Sequence, residues 1–288
     1  MNYTVSNKPV RNVLTIDVED YFHVAALANS IKVSEWSGIS PRVVENTRRL
    51  LDLFERKDVK VTHFVLGWVA ERFPDLVKEI DARGHEVASH GYSHQLVYEQ
   101  TPQIFYDETV KSKRILEDIL GKPVNGYRAA SYSITKKSLW ALDILCELGF
   151  KYDSSIFPIR HDRYGIPDAD PLPHKIKTPK GNYITEFPLT TSSLFGIKLP
   201  AAGGGYFRLY PYALSKYLLE KIQKQNRPFI FYLHPWEIDP DQPRVNASTL
   251  SRFRHYNNLH KCELRLERLL SDFPFTTMSQ VLMNEGLL

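Results

Sequence analysis

Two histidines four residues apart are the most specific chemical signal in the sequence. His90 and His94 stand in the segment His-Gly-Tyr-Ser-His, and imidazoles at this spacing can face one side of a helical turn and share one ion. Solvated histidines on a loop are the alternative interpretation. A carboxylate would complete a set of two histidines and one acid, which leaves coordination positions open in hydrolytic zinc sites and in non-haem iron oxygenases.

Three acids follow the first apolar run of the chain. Asp17, Glu19 and Asp20 come directly after Val-Leu-Thr-Ile at residues 13–16. Burial of unpaired carboxylates is costly, so we expect a cation or several hydrogen bonds to compensate for it. Helix capping, or pairing with an arginine such as Arg42, accounts for one of these acids but hardly for all three.

Polar residues also end several later apolar runs. These residues are Arg128, Asp153, Glu186 and His234. Because the carboxyl ends of parallel strands meet at one edge of a sheet or one mouth of a barrel, we expect all of these side chains to lie near the histidine pair. His234 leaves the apolar run 229–233, and a packed core histidine is its alternative interpretation. If His234 is catalytic, an acid would tune its protonation, and Asp153 is the candidate partner.

Short apolar runs alternate with helically spaced stripes along most of the chain, beginning with a strand at 13–16 and a helix at 43–54. Further strands are predicted at about 59–66, 86–89, 126–129, 150–153, 183–187, 229–233 and 273–277, and further helices at about 74–83, 102–120, 136–148, 211–226 and 259–270. Residues 159–180 and 239–258 lack periodicity and are predicted as a surface excursion and an insertion. Seven or eight strands alternating with helices predict an α/β fold, either a (β/α) barrel or a doubly wound sheet.

The composition is that of a globular protein and excludes disordered and fibrous classes. Hydrophobic residues make up 43% and charged residues 24%, with a net charge of +4 that is spread along the chain and does not imply nucleic acid. Cys146 and Cys262 have no metal-ligand spacing, so no disulfide framework is expected. The first twelve residues lack an apolar core, and no apolar run approaches the length of a membrane span. These features predict a cytoplasmic protein without a transmembrane segment, and they leave open a peripheral contact with the inner membrane.

Taken in chain order, these segments resemble the motifs of the polysaccharide deacetylase family, the carbohydrate esterases that share the NodB homology domain. The similar segments are 15–20, 90–94, 128–132, 152–155 and 232–234. Segments 61–67 and 83–87 are also similar to family members, and they assign His63 and His85 to packing or supporting roles rather than to metal binding. Residues 234–258 are similar to a subgroup found with exopolysaccharide and exosortase loci.

The resemblance implies a deformed (β/α) barrel of about seven strands. It also implies that residues 1–288 form a single catalytic domain, on which residues 236–288 pack as a C-terminal extension of this subgroup. The third motif lacks the proline of the family, which bears on the shape of the substrate groove next to Arg128.

The resemblance further implies a divalent metal, with Zn²⁺ preferred, bound by His90, His94 and one acid of the first loop. The sequence Asp-Val-Glu-Asp favours Glu19 for this third ligand and leaves Asp20 open. Asp17 is then expected to act as the general base.

The remaining roles fall on residues from several segments. Arg128 is expected to hold Asp17 as a carboxylate, and His234 is the expected general acid, oriented by Asp153. A backbone N–H of the loop near Tyr132 is the expected oxyanion donor.

Three further side chains are predicted to contact the sugar. Tyr206 and Arg208 follow the glycines at 203–205, which would let this loop approach the ligand closely, although an ordinary flexible turn is the alternative. Trp236 offers a second aromatic platform.

The predicted function is metal-dependent removal of N-acetyl groups from amino sugars of a bacterial polysaccharide or its precursor. Two alternatives use the same barrel: hydrolysis of cyclic amides or imides, and glycan binding without catalysis. An iron oxygenase is a third alternative that rests on the ligand set alone.

Overall fold

The computed structural model describes residues 11–288. The predicted absence of a leader segment depends mainly on residues 1–10, which lie outside the described part of the chain. Among the described residues, no helix is long and apolar enough to span a bilayer.

The fold is built around one curled sheet of nine strands, with a separate two-stranded hairpin beside it. The strands are β1 (Asn12–Val18), β2 (Thr62–Val65), β3 (Glu86–Ser89), β4 (Gly126–Tyr127), β5 (Tyr152–Asp153), β6 (His174–Lys177), β7 (Tyr183–Glu186), β8 (Thr191–Leu194), β9 (Ile197–Pro200), β10 (Ile230–Leu233) and β11 (Phe275–Thr276). The strand order is β10-β1-β2-β3-β4-β5-β7-β6, β11 pairs with the start of β1, and β8 and β9 form the hairpin. All neighbours in the sheet are parallel except β6 and β7. The predicted deformed barrel of about seven strands is therefore confirmed, with seven parallel strands from β10 to β7.

Helices cover the sheet and connect its parallel strands. They are α1 (Val43–Arg56), α2 (Gly67–Arg72), α3 (Pro74–Ala82), α4 (Pro102–Leu120), α5 (Trp140–Glu147), α6 (Gly204–Leu209), α7 (Tyr212–Gln223), α8 (Thr249–Tyr256), α9 (Leu259–Asp272) and α10 (Met278–Asn284). The ends of α4 show how the sequence sets these boundaries. The hydroxyl of Thr101 accepts a hydrogen bond from the N–H of Ile104, and Gly121 ends the helix at φ 66°.

The register of the sheet brings the carboxyl ends of the strands to one level. Asp17 pairs with Phe64, Val65 with Ser89, and Asp153 with both Tyr127 and Glu186. All seven residues of β1 are buried, as expected for a parallel strand that is covered on both faces. The polar residues that follow these strands therefore open onto a common mouth.

Two glycines bring the chain close to the free edge of β10. Gly203 forms a parallel bridge with Tyr232, and a Cβ atom on Gly203 would lie 2.2 Å from the Tyr232 carbonyl oxygen. A Cβ atom on Gly204 would lie 2.5 Å from the Tyr232 hydroxyl oxygen. This segment therefore packs closely against β10, and the close packing explains its glycines.

Several elements were not predicted. Edge strand β6 lies in the supposed surface excursion, the hairpin β8–β9 precedes the glycines, and α8 lies in the supposed insertion. Strands β7, β10 and β11 belong to the same sheet as β1 to β5, so the N-terminal and C-terminal parts of the described chain share one sheet, while a single domain stays a prediction.

Candidate active site

Two histidines and one acid form a tight cluster at the mouth of the barrel. Glu19 follows β1, and His90 and His94 follow β3. One ligand atom from each of these side chains lies within 4.8 Å of the others, and Nε2 of His94 is 2.8 Å from Oε2 of Glu19. Nδ1 of His90 donates to the backbone carbonyl of Arg128 at 2.8 Å, which fixes the ring and leaves Nε2 with a lone pair.

The chemistry of these atoms fits a cation. Nδ1 of His94 is buried without a hydrogen-bond partner in the described residues, the only polar contact of Oε2 of Glu19 in this region is the one with Nε2 of His94, and buried polar atoms with unused hydrogen-bonding capacity are costly unless a ligand completes them. Burial lowers the pKa of His90 to about 4, so the ring is neutral at pH 7, as a metal ligand must be. Burial alone would raise the pKa of Glu19, but the neighbouring histidines, His94 above all, hold it below its usual value.

Asp20, the alternative third ligand, is occupied elsewhere. Its carboxylate accepts hydrogen bonds from the backbone N–H groups of Tyr21, Arg42 and Val43. The last two begin α1, so Asp20 caps this helix. The geometry therefore groups Glu19, and not Asp20, with the two histidines.

Asp17 is held by Arg128 beside this cluster. Nη1 of Arg128 donates to Oδ1 of Asp17 at 2.6 Å, and both side chains are buried. The guanidinium also donates to Thr15 and Ser154 and lies 4.0 Å from the centre of the Phe64 ring. Oδ2 of Asp17 lies 3.9 Å from Nε2 of His234 and faces the same space.

His234 is oriented by Glu237, which corrects the prediction that Asp153 is its partner. Nδ1 of His234 donates to Oε1 of Glu237 at 2.8 Å, while Nε2 lies 3.5 Å from Oε1 of Glu19. In residues 11–288, no hydrogen bond or ion pair joins Asp153 to His234. Burial would lower the pKa of His234, but Glu237 and the nearby acids raise it to about 9.

Arg208 supports Glu237 and is not free to contact a sugar, which corrects a second prediction. Its Nε donates to Oε2 of Glu237 at 2.6 Å. Its other nitrogens donate to the backbone carbonyls of Arg254, His255 and Asn257, and the side chain is 2% exposed. Burial would raise the pKa of Glu237, but Arg208 and then His234 hold it below its usual value.

Asp153 instead forms a buried carboxyl pair with Glu186 behind Arg128. Oδ1 of Asp153 accepts from the Ser155 hydroxyl, and Oε1 of Glu186 accepts from the N–H of Ile156. Burial raises the pKa of Asp153 to about 6 and that of Glu186 well above its usual value. The pair therefore keeps a proton near neutral pH and lies at the carboxyl ends of β5 and β7.

The catalytic candidates open into a cavity of about 430 Å³. Aromatic side chains form much of its wall. Among them are Tyr132, Tyr164, Tyr206, Tyr232 and Trp236. Trp236 is only 6% exposed and stacks on His234 and His255. Its ring therefore packs against His234 and has little surface left to stack on a sugar.

The loop after β4 has an unusual backbone. Ser131 and Tyr132 have φ angles of 50° and 56°, a left-handed conformation that proline cannot adopt. The N–H of Tyr132 donates to the carbonyl of Ala129 at 3.1 Å, so this N–H is engaged within the loop, and an oxyanion donor elsewhere in the loop stays a prediction. The Tyr132 hydroxyl does reach the site, at 3.4 Å from Oδ2 of Asp17.

His63 and His85 lie away from the cavity and pack against Phe54 of α1, as predicted for packing residues. Glu237 is the functional candidate that the sequence interpretation missed. Its signal is local, because a Pro at 235 begins a short 3-10 turn that places Glu237 three residues after His234.

A curled parallel sheet with a Glu-His-His cluster and an Asp-Arg pair at its carboxyl edge defines an α/β barrel with a candidate metal-binding active site at its mouth. Residues 38–152 match the family model described as Polysaccharide deacetylase, and residues 154–283 match the model described as Domain of unknown function (DUF3473). Residues 38–152 therefore carry a segment of the polysaccharide deacetylase type, as the motifs predicted.

One relative and two solved structures illustrate the similarity. A peptidoglycan deacetylase of Helicobacter pylori is 35% identical over 108 residues, which are 38% of this chain and 36% of that protein. This chain thus matches about a third of the length of that relative.

The solved structures agree in fold. A Mycobacterium smegmatis protein assigned as a polysaccharide deacetylase is 17% identical, with a TM-score of 0.64 over 97% of this chain and 92% of that chain. The allantoinase PuuE is 18% identical, with a TM-score of 0.59 over 95% of this chain and 89% of that chain. At these identities both structures show the shared barrel alone.

Proposed function

We propose that this protein is a metal-dependent deacetylase that removes N-acetyl groups from amino sugars of a glycan. The observation that carries the proposal is the convergence of the Glu19-His90-His94 cluster, the Asp17-Arg128 pair and His234 on one cavity. The match of residues 38–152 to the polysaccharide deacetylase model supports the reaction class. The substrate and the need for a metal are parts of the proposal.

In this proposal His90, His94 and Glu19 hold the divalent metal. Such a metal would polarise the amide carbonyl and lower the pKa of a water molecule towards about 7. Two neutral imidazoles and one carboxylate suit Zn²⁺, and three protein ligands leave a position open for water or substrate.

Asp17 accepts the proton of the attacking water through Oδ2, the oxygen that Arg128 does not bind. The bond between Arg128 and Oδ1 fixes the orientation of the carboxylate and leaves Oδ2 facing the cavity. Because both side chains are buried, the pair holds its geometry without solvent screening.

His234 donates a proton to the departing amine through Nε2. The bond from Nδ1 to Glu237 keeps the ring protonated and aimed into the cavity. Hydrolysis of the amide then yields acetate and the free amino sugar. The same two side chains therefore divide the proton transfers, with Asp17 receiving one proton and His234 supplying another.

The test is acetate release from N-acetylglucosamine oligomers and related glycans by the full chain supplied with Zn²⁺. We expect Asp17→Asn to lower kcat by about 10²–10⁴-fold. Asp118→Asn, which makes the same change at an exposed position on α4, should retain full activity.

Three results would count against the proposal. One is a lack of acetate release above the Asp17→Asn background across the panel. Another is ring opening of cyclic ureides without acetate release, which would favour the amidohydrolase alternative. The third is glycan binding without any turnover, which would favour a binding protein.

A further inference from the structure

The outer part of the cavity has a surface that a neutral sugar does not require. Three large apolar side chains line it while remaining exposed: Leu209 at 48%, Leu250 at 58% and Phe253 at 54%. Two exposed arginines, Arg163 and Arg254, line it as well. We call these five residues the rim.

Helix α8 presents three rim residues on one face. Leu250, Phe253 and Arg254 are three and four residues apart, so they lie on one side of the helix, and this side faces the cavity. Arg208 donates to the carbonyls of Arg254 and His255 and to Glu237. The helix that carries the rim is thus anchored to the residues that orient His234.

The two arginines have no carboxylate partner of their own in the described part of the chain. Both line the cavity together with His161. Asp162 is the acid at this place, and it contacts Nδ1 of His161 at 2.9 Å. Two exposed cationic side chains therefore line the same cavity, with guanidinium groups available to a ligand.

Guanidinium groups bind phosphate through paired charge-assisted hydrogen bonds. Exposed Leu and Phe side chains gain free energy when an apolar ligand covers them. A neutral polymer could stack on Phe253, but it carries no anionic group for the two arginines and no aliphatic chain for Leu209 and Leu250. A ligand with an anionic group next to the sugar and an apolar chain beyond it would use both.

We propose that the substrate is an N-acetylated amino sugar linked through phosphate or diphosphate to a lipid chain. The sugar lies against the catalytic residues, the phosphate binds Arg163 and Arg254, and the chain lies along Leu209, Leu250 and Phe253. This inference rests on the proposed deacetylase function and specifies its substrate class.

The test varies phosphate and lipid independently. Four probes carry the same sugar: methyl N-acetylglucosaminide, N-acetylglucosamine 1-phosphate, farnesyl N-acetylglucosaminide and N-acetylglucosamine linked to farnesyl through diphosphate. Chitotetraose represents the neutral polymer. With the full chain and Zn²⁺ in dilute detergent, we expect kcat/KM for the farnesyl diphosphate probe to exceed that for each other probe by at least about tenfold.

Variants assign the preference to the rim. Arg163→Glu combined with Arg254→Glu should lower kcat/KM at least about tenfold for the phosphate-bearing probes and leave farnesyl N-acetylglucosaminide unchanged. The double variant Leu250→Ser and Phe253→Ser should lower kcat/KM to a similar extent, but only for the two farnesyl probes. Arg252→Glu on the same helix and Leu264→Ser on α9 alter exposed residues outside the rim and serve as matched controls.

A binding measurement separates this inference from the deacetylase proposal. Asp17→Asn protein should bind the farnesyl diphosphate probe at least about tenfold more tightly than chitotetraose, and the rim variants should abolish the difference. Equal or better turnover of chitotetraose, with no effect of the rim variants, would overturn the inference while the deacetylase proposal stands. Preferential binding of the diphosphate probe without acetate release from any probe would overturn the deacetylase function instead.

Discussion

Nδ1 of His234 lies 2.8 Å from Oε1 of Glu237, and the Glu237 carboxylate is fully buried. His234, the candidate general acid, is therefore paired with a carboxylate three residues further along the chain. This carboxylate does not come from the neighbouring strands. Arg208 donates to the other carboxylate oxygen of Glu237. The orientation of His234 therefore depends on two buried side chains, Glu237 and Arg208.

Glu237→Gln should lower kcat by about 10²-fold with little change in KM, because the histidine loses the charge that favours its protonated form. His234 must be protonated to donate, so activity is lost as the pH rises through its pKa. Glu237 raises that pKa, and its removal should shift the basic limb of the kcat profile to lower pH. Glu147→Gln, at an exposed position on α5, is the control. An unchanged basic limb would show that Glu237 has only a structural role.

The variants Glu19→Gln and Asp20→Asn test which of the two acids binds the metal, a choice that the sequence left open. Glu19→Gln should weaken Zn²⁺ binding by at least about tenfold, as measured by titration calorimetry, because the amide lacks the charge of the ligand. Asp20→Asn should retain Zn²⁺ binding and cost about 1–3 kcal/mol in the free energy of unfolding, because the amide nitrogen cannot accept the hydrogen bonds that one of the carboxylate oxygens accepts. The reverse pattern would assign the metal to Asp20.

The proposed metal ion should stabilise the folded chain, so chelation should lower its stability. We expect the melting temperature to fall when the metal is stripped and to recover with added Zn²⁺, because a ligand that binds only the folded state stabilises it. Asp118→Asn protein should behave as the unaltered chain does. A melting temperature that is insensitive to metal in both directions would contradict the assignment of Glu19, His90 and His94.

Local sequence patterns predicted much of the fold and some of the residues of the candidate active site. The run before Asp17, the stripes of α1 and α4, and the pair His90 and His94 depend on spacing within a few residues, and the structure places them as expected. The hairpin β8–β9 was missed because its residues are largely polar or exposed, with Ile197 at 65% exposure. Helix α8 was missed because only His255 is buried within it, so no apolar stripe marks it.

Partnerships across the chain were harder to predict. Asp153 ends a strand as the other site residues do, but its burial beside Glu186 commits it to a carboxyl pair. Arg208 follows a glycine run that suggested a ligand loop, whereas these glycines pack against Tyr232. Both errors arose because sequence order does not show which buried groups satisfy one another.

Gly203→Ala should be far more destabilising than Gly196→Ala. Both glycines have positive φ angles, 115° and 77°, but a Cβ on Gly203 would overlap the Tyr232 carbonyl, whereas a Cβ on Gly196 would meet nothing within 4 Å. We expect a cost of at least about 3 kcal/mol for Gly203→Ala and about 1 kcal/mol for Gly196→Ala in urea unfolding. Equal costs would show that conformation alone, and not closure against β10, requires Gly203.

His63 should make the fold sensitive to mild acid. Neither ring nitrogen of this fully buried side chain has a hydrogen-bond partner among the described residues, and burial holds its pKa well below the usual value. Below about pH 6.5 the unfolded chain binds a proton that the folded chain does not, so stability falls as the pH falls, by about 2 kcal/mol at pH 5. His63→Leu should therefore reduce the loss of unfolding free energy between pH 7.5 and 5 by that amount. The exposed His260→Leu on α9 should leave the loss unchanged, and an equal effect of both variants would exclude burial of His63 as the cause.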